Sequence, residues 1–461
     1  MKKLLIFLII SQFANSQTPF SFYPAFNPTE AGLSFGSKVD LDGNEIIASN
    51  QRTVVYVFDK NTNGVQQKQI IYSPNASDGT FGYSISIDNN FIAIGDPLIN
   101  SVAEDAGSVF IYNKTADLYD LQQIIPSPEP TANYHFGSCV KVFGNKLFIT
   151  AQNKVYGFNA SSNDGSVYYY LFNGTEWVFQ QKLITDNTYS SFGNKIEIND
   201  NLLAIRAQYD PDSFQGVSFF KLIDGNYTFN GYAGYTCLEG NFDFSLHDSS
   251  LYILSNRFIN TAEIVTQGQV NIIGFFEIAP EIDADHIFGT IAASNDDIFF
   301  GSTSYILQQS RKFPLLHYKR NGNTWTYYNT YNGIQPSGDD DFFGSALAIK
   351  DNLLIIGAPL ERIILPSSGN IYYLDYLLAN EKFERNGFSL FPNPTNDRVF
   401  LRNNNSLEIS KIEIYSVSGK LLQTQNNNFN EISLENFSSG LYFAKIYSQN
   451  EVSESFKIVK N

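Results

Sequence analysis

FGYSISIDNN (81–90), followed by FIAIGDP (91–97), decides the fold. Apolar and polar residues alternate up to Ile87, Asp88-Asn89-Asn90 turn the chain, and Phe91-Ile92-Ala93-Ile94 lead back. Alternation at period two with β-branched and aromatic residues reads as strands. GSVFIY (107–112) and LYDLQQII (118–125) supply two more, so one unit holds four strands. The same grammar recurs. Phe-Gly returns at Phe35-Gly36, Phe81-Gly82, Phe136-Gly137, Phe192-Gly193, Phe288-Gly289 and Phe343-Gly344, and Phe242-Asp243 keeps the pattern without the glycine. The seven starts are 46, 55, 56, 50, 46 and 55 residues apart. IGAP (356–359) answers IGDP (94–97), while GSVYYY (165–170) and GNIYYL (369–374) answer GSVFIY. TEWVFQQKL (175–183) and NTWTYYNTY (323–331) answer the fourth strand.

A fixed period of this size marks an array of supersecondary units. Four-stranded units that cannot bury both faces alone must stack, and radial stacking of such units is the β-propeller. A row of separate sandwiches fits poorly, because ~50 residues is too few for an independent two-sheet core without staples. The unit beginning at Phe343 has only three strands before the chain changes character near Glu381. SFYPAFNPTEAGLSFG (21–36) resembles QQIIPSPEPTANYHFG (122–137) in its prolines and its distance to Phe-Gly. Residues 20–25 are therefore expected to add the fourth strand of that last unit and close the ring. The expectation is an all-β chain: a seven-bladed β-propeller over 17–380, a linker at 381–387 and a small C-terminal β-sandwich over 388–461.

The repeats resemble the FG-GAP family, whose vertebrate relatives form the propeller head of integrin α subunits, and the resemblance covers residues 30–380. It is closest to the bacterial branch, with units running Phe-Gly, short hairpin, Gly-Ala-Pro, acidic loop, Gly-Ser-Val-Tyr and Trp-Thr. Integrin-type units carry a calcium loop between the Phe-Gly and Gly-Ala-Pro strands. Here the connection is a two- or three-residue turn: Asp42-Gly43-Asn44, Asp88-Asn89-Asn90, Gly144-Asn145, Asp200-Asn201, Asp248-Ser249-Ser250, Asp296-Asp297 and Asp351-Asn352. Such residues suit tight hairpins. Calcium is not carried over from the family, and no metal or other cofactor is expected.

The two ends concern export. MKKLLIFLIISQFANS (1–16) has two lysines, an apolar stretch and a small-residue cleavage site, which reads as a secretory signal peptide too short to span a membrane. The last module resembles the C-terminal sorting domain of the type IX secretion system of Bacteroidota. The residues carrying that likeness are Pro392-Asn393-Pro394, Gly419-Lys420, Gly440 with Tyr442, and Lys457 and Lys460. The resemblance implies contact with the secretion machinery, passage through the periplasm and outer membrane, and a secreted or surface-attached product. Anchored and released fates both stay open.

Net charge is −16. The leader contributes +2 and the sorting module is neutral, which leaves −18 on residues 17–386. An acidic propeller disfavours nucleic acid and polyanionic glycans as partners, and it favours solubility. Cys139 and Cys237 fall in different units, and whether they are bonded stays open.

No Gly-x-Ser-x-Gly, His-Glu-x-x-His, P-loop or Cys-x-x-Cys motif occurs, and no catalytic residue is named. His135 and His286 precede a Phe-Gly, which points to packing. The longer connections emerge on one face of the ring and the tight hairpins on the other, and loops on a rigid scaffold are where binding lives. Candidate ligand residues on the long-loop face are Asp96, Glu104, Asp105, Tyr209, Asp210, Asp212, Phe214, Asp339, Asp340, Asp341, Glu361 and Arg362. The expected function is a non-enzymatic surface or secreted binding or adhesion protein for an extracellular glycan or protein. The alternative is a secreted polysaccharide-degrading hydrolase or lyase, which a deep central pocket with convergent carboxylates and aromatics would favour.

Overall fold

A computed structural model describes residues 20–22, 34–375 and 388–460, apart from 62–63, 75–79, 130, 153–164, 185–188, 191, 201, 210–213, 237–241, 249, 256–257, 265–269, 278–285, 306–313, 323, 334–341, 361–368, 392–394, 396, 404–408, 417–419 and 449–452. The chain divides into two compact units, Met1–Leu374 and Asp375–Asn461.

The first unit contains seven antiparallel sheets among the described residues. The opening sheet runs Lys38–Asp42, Glu45–Ser49, Val54–Asn61 and Gly64–Tyr72 in spatial order. The second repeats this with Ser84–Asp88, Phe91–Asp96, Ser108–Thr115 and Leu118–Pro126. The third is Cys139–Phe143, Lys146–Ala151, Ser166–Phe172 and Trp177–Leu183. The fourth adds the short pair Tyr189–Ser190 beside Leu203–Tyr209, which makes it five-stranded. First strands of consecutive sheets lie side by side, and the last, Ala346–Lys350, returns to Lys38–Asp42. Sheets meeting this way around an axis form a β-propeller.

Burial falls from second strand to rim. Glu45–Ser49 and Leu353–Ala358 are buried at every position, because sheets cover them on both sides. Leu118–Pro126, a fourth strand, is buried only at Tyr119 and Ile125. A bulge recurs between third and fourth strands, at Val57/Phe58, Ile111/Tyr112, Tyr169/Tyr170, Phe219/Phe220, Thr261/Ala262 and His317/Tyr318. Bulges sharpen the local twist, and this one recurs at the same place in six of the sheets.

The Phe-Gly signature is the joint between sheets. All seven phenylalanines are buried. Gly82 N donates to Gly95 O in its own second strand, and Gly82 O accepts from Ser49 Oγ (2.6 Å) in the preceding sheet. The same hydroxyl-to-glycine bond links Ser84 to Gly137, Thr150 to Gly193 and Thr290 to Gly344. Gly82 needs its freedom: φ is +84°, and a Cβ would sit 2.9 Å from Ser49 Cβ.

Ring closure reuses that joint. Phe35 bridges in parallel to Gly369, as Phe136 does to Gly107. Phe20–Phe22 pairs with Asn370–Asp375, Phe20 opposite Tyr373 and Phe22 opposite Ile371, as the matching proline stretches predict.

The second unit sets Phe388–Phe391, Arg398–Asn403 and Glu431–Ser433 in one sheet. Leu421–Gln425, Ile409–Ser416, Gly440–Ser448 and Ser453–Lys460 form the other. Val399, Ile412, Ile414, Ile432, Ala444 and Ile458 form its core.

Candidate functional site

First strands present their inner edges to the ring axis, and an edge leaves N–H groups unpaired. In the second, third and sixth sheets such groups are capped from the sheet before. Asp40 Oδ2 accepts from Ile87 N (3.0 Å), Ser86 Oγ from Val142 N (3.2 Å), Asp243 Oδ2 from Ile291 N (3.0 Å) and Ser245 Oγ from Ala293 N (3.1 Å). The hairpin turns follow suit: Asp42 Oδ2 accepts from Asn89 N, and Asp88 Oδ2 from Gly144 N (both 2.6 Å). The turn acids therefore fasten neighbouring sheets as well as bending the chain.

A central cavity of about 390 Å³ runs along this axis. Its charged lining includes Lys38, Lys141 and Lys195 with Asp40, Glu197 and Asp243. Lys195 Nζ lies 2.9 Å from Asp243 and 3.6 Å from Glu197, and Lys141 Nζ lies 3.9 Å from Asp40. Burial pulls the Lys195 ammonium pKa down, but Asp243 and Glu197 outweigh it and leave it raised. Cys139, a free thiol beside the same lysines, is pushed up to about 11 by burial. Among the described residues no Phe, Tyr or Trp lines the cavity.

On the long-loop face, carbonyls of Glu104, Asp105 and Ala106 accept from the N–H groups of Asn133, His135 and Phe136. Glu104 is exposed, and Asp105 takes φ +48° with its N–H on Asn100 Oδ1 (2.8 Å). His135 is half-buried with Nδ1 3.0 Å from Gln152 O, a packing role. Asp96 is not on the surface. It is wholly buried; its Oδ1 accepts from Thr80 N (2.6 Å), its Oδ2 has no hydrogen-bond partner, and burial raises its pKa. The reason is position: Asp96 ends a second strand, the layer covered on both sides. Tyr209 and Phe214 are register partners at one strand end. Asp210, Asp212, Asp339, Asp340, Asp341, Glu361 and Arg362 lie outside the described residues.

In the second unit Gly440 opens a strand with φ +155°, and Tyr442 Oη donates to Ser438 O (2.6 Å). Lys420 is exposed, and Lys457 stands opposite Phe443. Lys460 is buried: Nζ donates to Leu434 O (2.7 Å) and lies 3.2 Å from Asp397. Its ammonium adds a second hydrogen bond to a carbonyl that already accepts from Phe437 N (2.9 Å). Pro392, Asn393, Pro394 and Gly419 lie outside the described residues.

Sequence reasoning missed a second fastening. Gln69, Gln123 and Gln181 each bond both atoms of their side-chain amide to the main chain of one residue in the next sheet. The partners are Tyr119, Trp177 and Tyr227, with distances of 2.8–3.1 Å. Its trace was the recurring Gln pair in QQKQII (66–71), LQQII (121–125) and FQQKL (179–183).

No curated protein matches the chain. Similar solved structures include Sqt1 of Saccharomyces cerevisiae, 11% identical, covering 96% of this chain and 100% of that one at a TM-score of 0.42. The WD40 domain of SCAP from fission yeast is 11% identical, covers 96% of this chain and 91% of that one, and scores 0.42. At such scores the fold rests on the sheet topology itself. Among the described residues no helix is long and apolar enough to cross a membrane. Residues 389–461 match the family model of the secretion system C-terminal sorting domain. The chain therefore carries the sorting domain of type IX secretion and is exported by that route to the cell surface or the extracellular space.

Proposed function

We propose that this exported protein is a non-enzymatic binding or adhesion module, a seven-bladed propeller of the FG-GAP kind whose ligand is an extracellular glycan or protein. In this reading residues 1–16 are a cleaved signal peptide and 17–380 form the propeller. The linker is 381–387, and 388–461 engage the secretion machinery. Ligand contacts come from the long-loop face, through Glu104, Asp105 and the loops bearing Tyr209, Asp210, Asp212, Phe214, Asp339–Asp341, Glu361 and Arg362.

The observation that supports binding over hydrolysis is the fate of the channel carboxylates. Asp40 and Asp243 cap main-chain N–H groups and sit beside lysines, and Glu197 sits beside Lys195. A glycosidase needs one carboxyl to give a proton and another to act as base or nucleophile. Acids committed to capping and ion pairs are poorly placed for either task. The test is a glycan and matrix-protein array probed with the exported protein, with and without chelator. Selective retention that survives chelation and leaves bound glycans intact is expected. Cleavage of an arrayed polysaccharide would overturn the reading.

A further inference from the structure

A cleft of about 670 Å³ opens on the hairpin face between the first and second sheets, opposite the long loops. That volume suits a small-molecule site, for which the usual range is roughly 300–1,000 Å³. Among the described residues every side chain lining it is polar. Its floor is rigid. Glu45, with its side chain only 11% exposed, accepts from Lys68 (2.6 Å), Lys114 (2.8 Å) and Tyr119 Oη (2.8 Å). Lys68 also reaches Asp117 (2.8 Å), and Asp42 is pinned by Asn89 N and by Lys350. Burial would raise the Glu45 pKa, but its three donors outweigh this and hold it below the usual carboxylate range.

The lining selects a ligand class. Four carboxylates, Asp42, Glu45, Asp59 and Asp117, face two ammonium groups, so an anion is repelled. Among the described residues the lining holds no apolar side chain for an apolar molecule to bury against. Among the described residues no three acids, histidines or cysteines are grouped to hold a metal ion. What remains is a rim of five amides, Asn44, Asn89, Asn90, Gln66 and Gln67, interleaved with carboxylates. Each amide offers donors and an acceptor side by side, which matches hydroxyls that both give and take a hydrogen bond.

We propose that this cleft is a second binding site, for a neutral oligosaccharide recognised by hydrogen bonds without aromatic stacking. Gln66 and Gln67 enter from the outer strand of the first sheet, and Asn89 and Asn90 from the first turn of the second. The ligand therefore spans the joint between two blades. The site stands apart from the long-loop face, and either can fail alone.

The experiment uses the exported full-length protein on an array of neutral oligosaccharides, with sulfated and uronic-acid counterparts alongside. Gln66→Ala/Gln67→Ala and Asn44→Ala remove exposed rim groups without touching the Glu45 clamp, and Glu176→Ala, at an exposed position of the third sheet outside the cleft, is the control. The expected result is a neutral oligosaccharide whose affinity falls tenfold or more in both rim variants, with Tm unchanged and Glu176→Ala matching wild type. Neutral oligosaccharide bound equally well by the rim variants would overturn the cleft and leave the binding function standing. Retention of only anionic glycans or matrix proteins would do the same. Silence on every surface would overturn both.

Discussion

Gly82 and Asp96 show how much of this molecule hangs on single positions. Gly82 combines a positive φ with a Cβ position already occupied by Ser49. Gly82→Ala is expected to cost about 1–3 kcal/mol, the usual range for forced backbone strain, measured by denaturant unfolding; an unchanged midpoint would refute the joint. Asp96 has its folded pKa raised above the ordinary 3.8 by burial. A raised acid contributes stability that is fully present below its unfolded pKa and lost as pH rises through the folded one. Asp96→Asn keeps an oxygen for Thr80 and cannot ionise, so its Tm relative to wild type should climb as pH goes from 4 to 7. A flat difference would mean that Asp96 ionises freely.

At the scale of elements, the sheets are joined in layers. Inner-edge N–H groups are capped by the previous sheet, Phe-Gly sits in the middle, and the glutamine amides bind outer strands of the first four sheets. Gln123→Ala abandons two bonds to the Trp177 main chain, and Trp177 is nearly buried. A loss of about 1–2 kcal/mol is expected, because unsatisfied main-chain groups cost more than an average hydrogen bond returns. Hydrogen exchange at Trp177 N–H reads the effect directly, and unaltered protection there would contradict it. In the second unit Lys460→Met removes the bonds of the Lys460 ammonium to Leu434 O and Asp397 and should lower that unit's melting temperature.

For the whole molecule, ring closure and export are the properties to test. Phe20–Phe22 supplies the strand that completes the last sheet. A chain starting after residue 22 should lower the melting temperature of the first unit, as seen by calorimetry, whereas one starting at 17 should not. Removal of residues 389–461 should leave the protein inside the cell envelope, and fractionation of cells and medium checks this. The strands, the turns, the closing segment and the sorting module were legible in the sequence because each is set locally, by period-two alternation, turn residues or a contiguous motif. The acids were harder. Asp96 read as a loop ligand is a buried strand end, and Asp42 and Asp88 read as turn formers also cap the next sheet. Nothing local marks Gln66, Gln67, Asn89 and Asn90 as one cleft. Those groupings were decided only by the tertiary structure, since they depend on how strands pack and how one sheet docks against the next, which no contiguous stretch of sequence records.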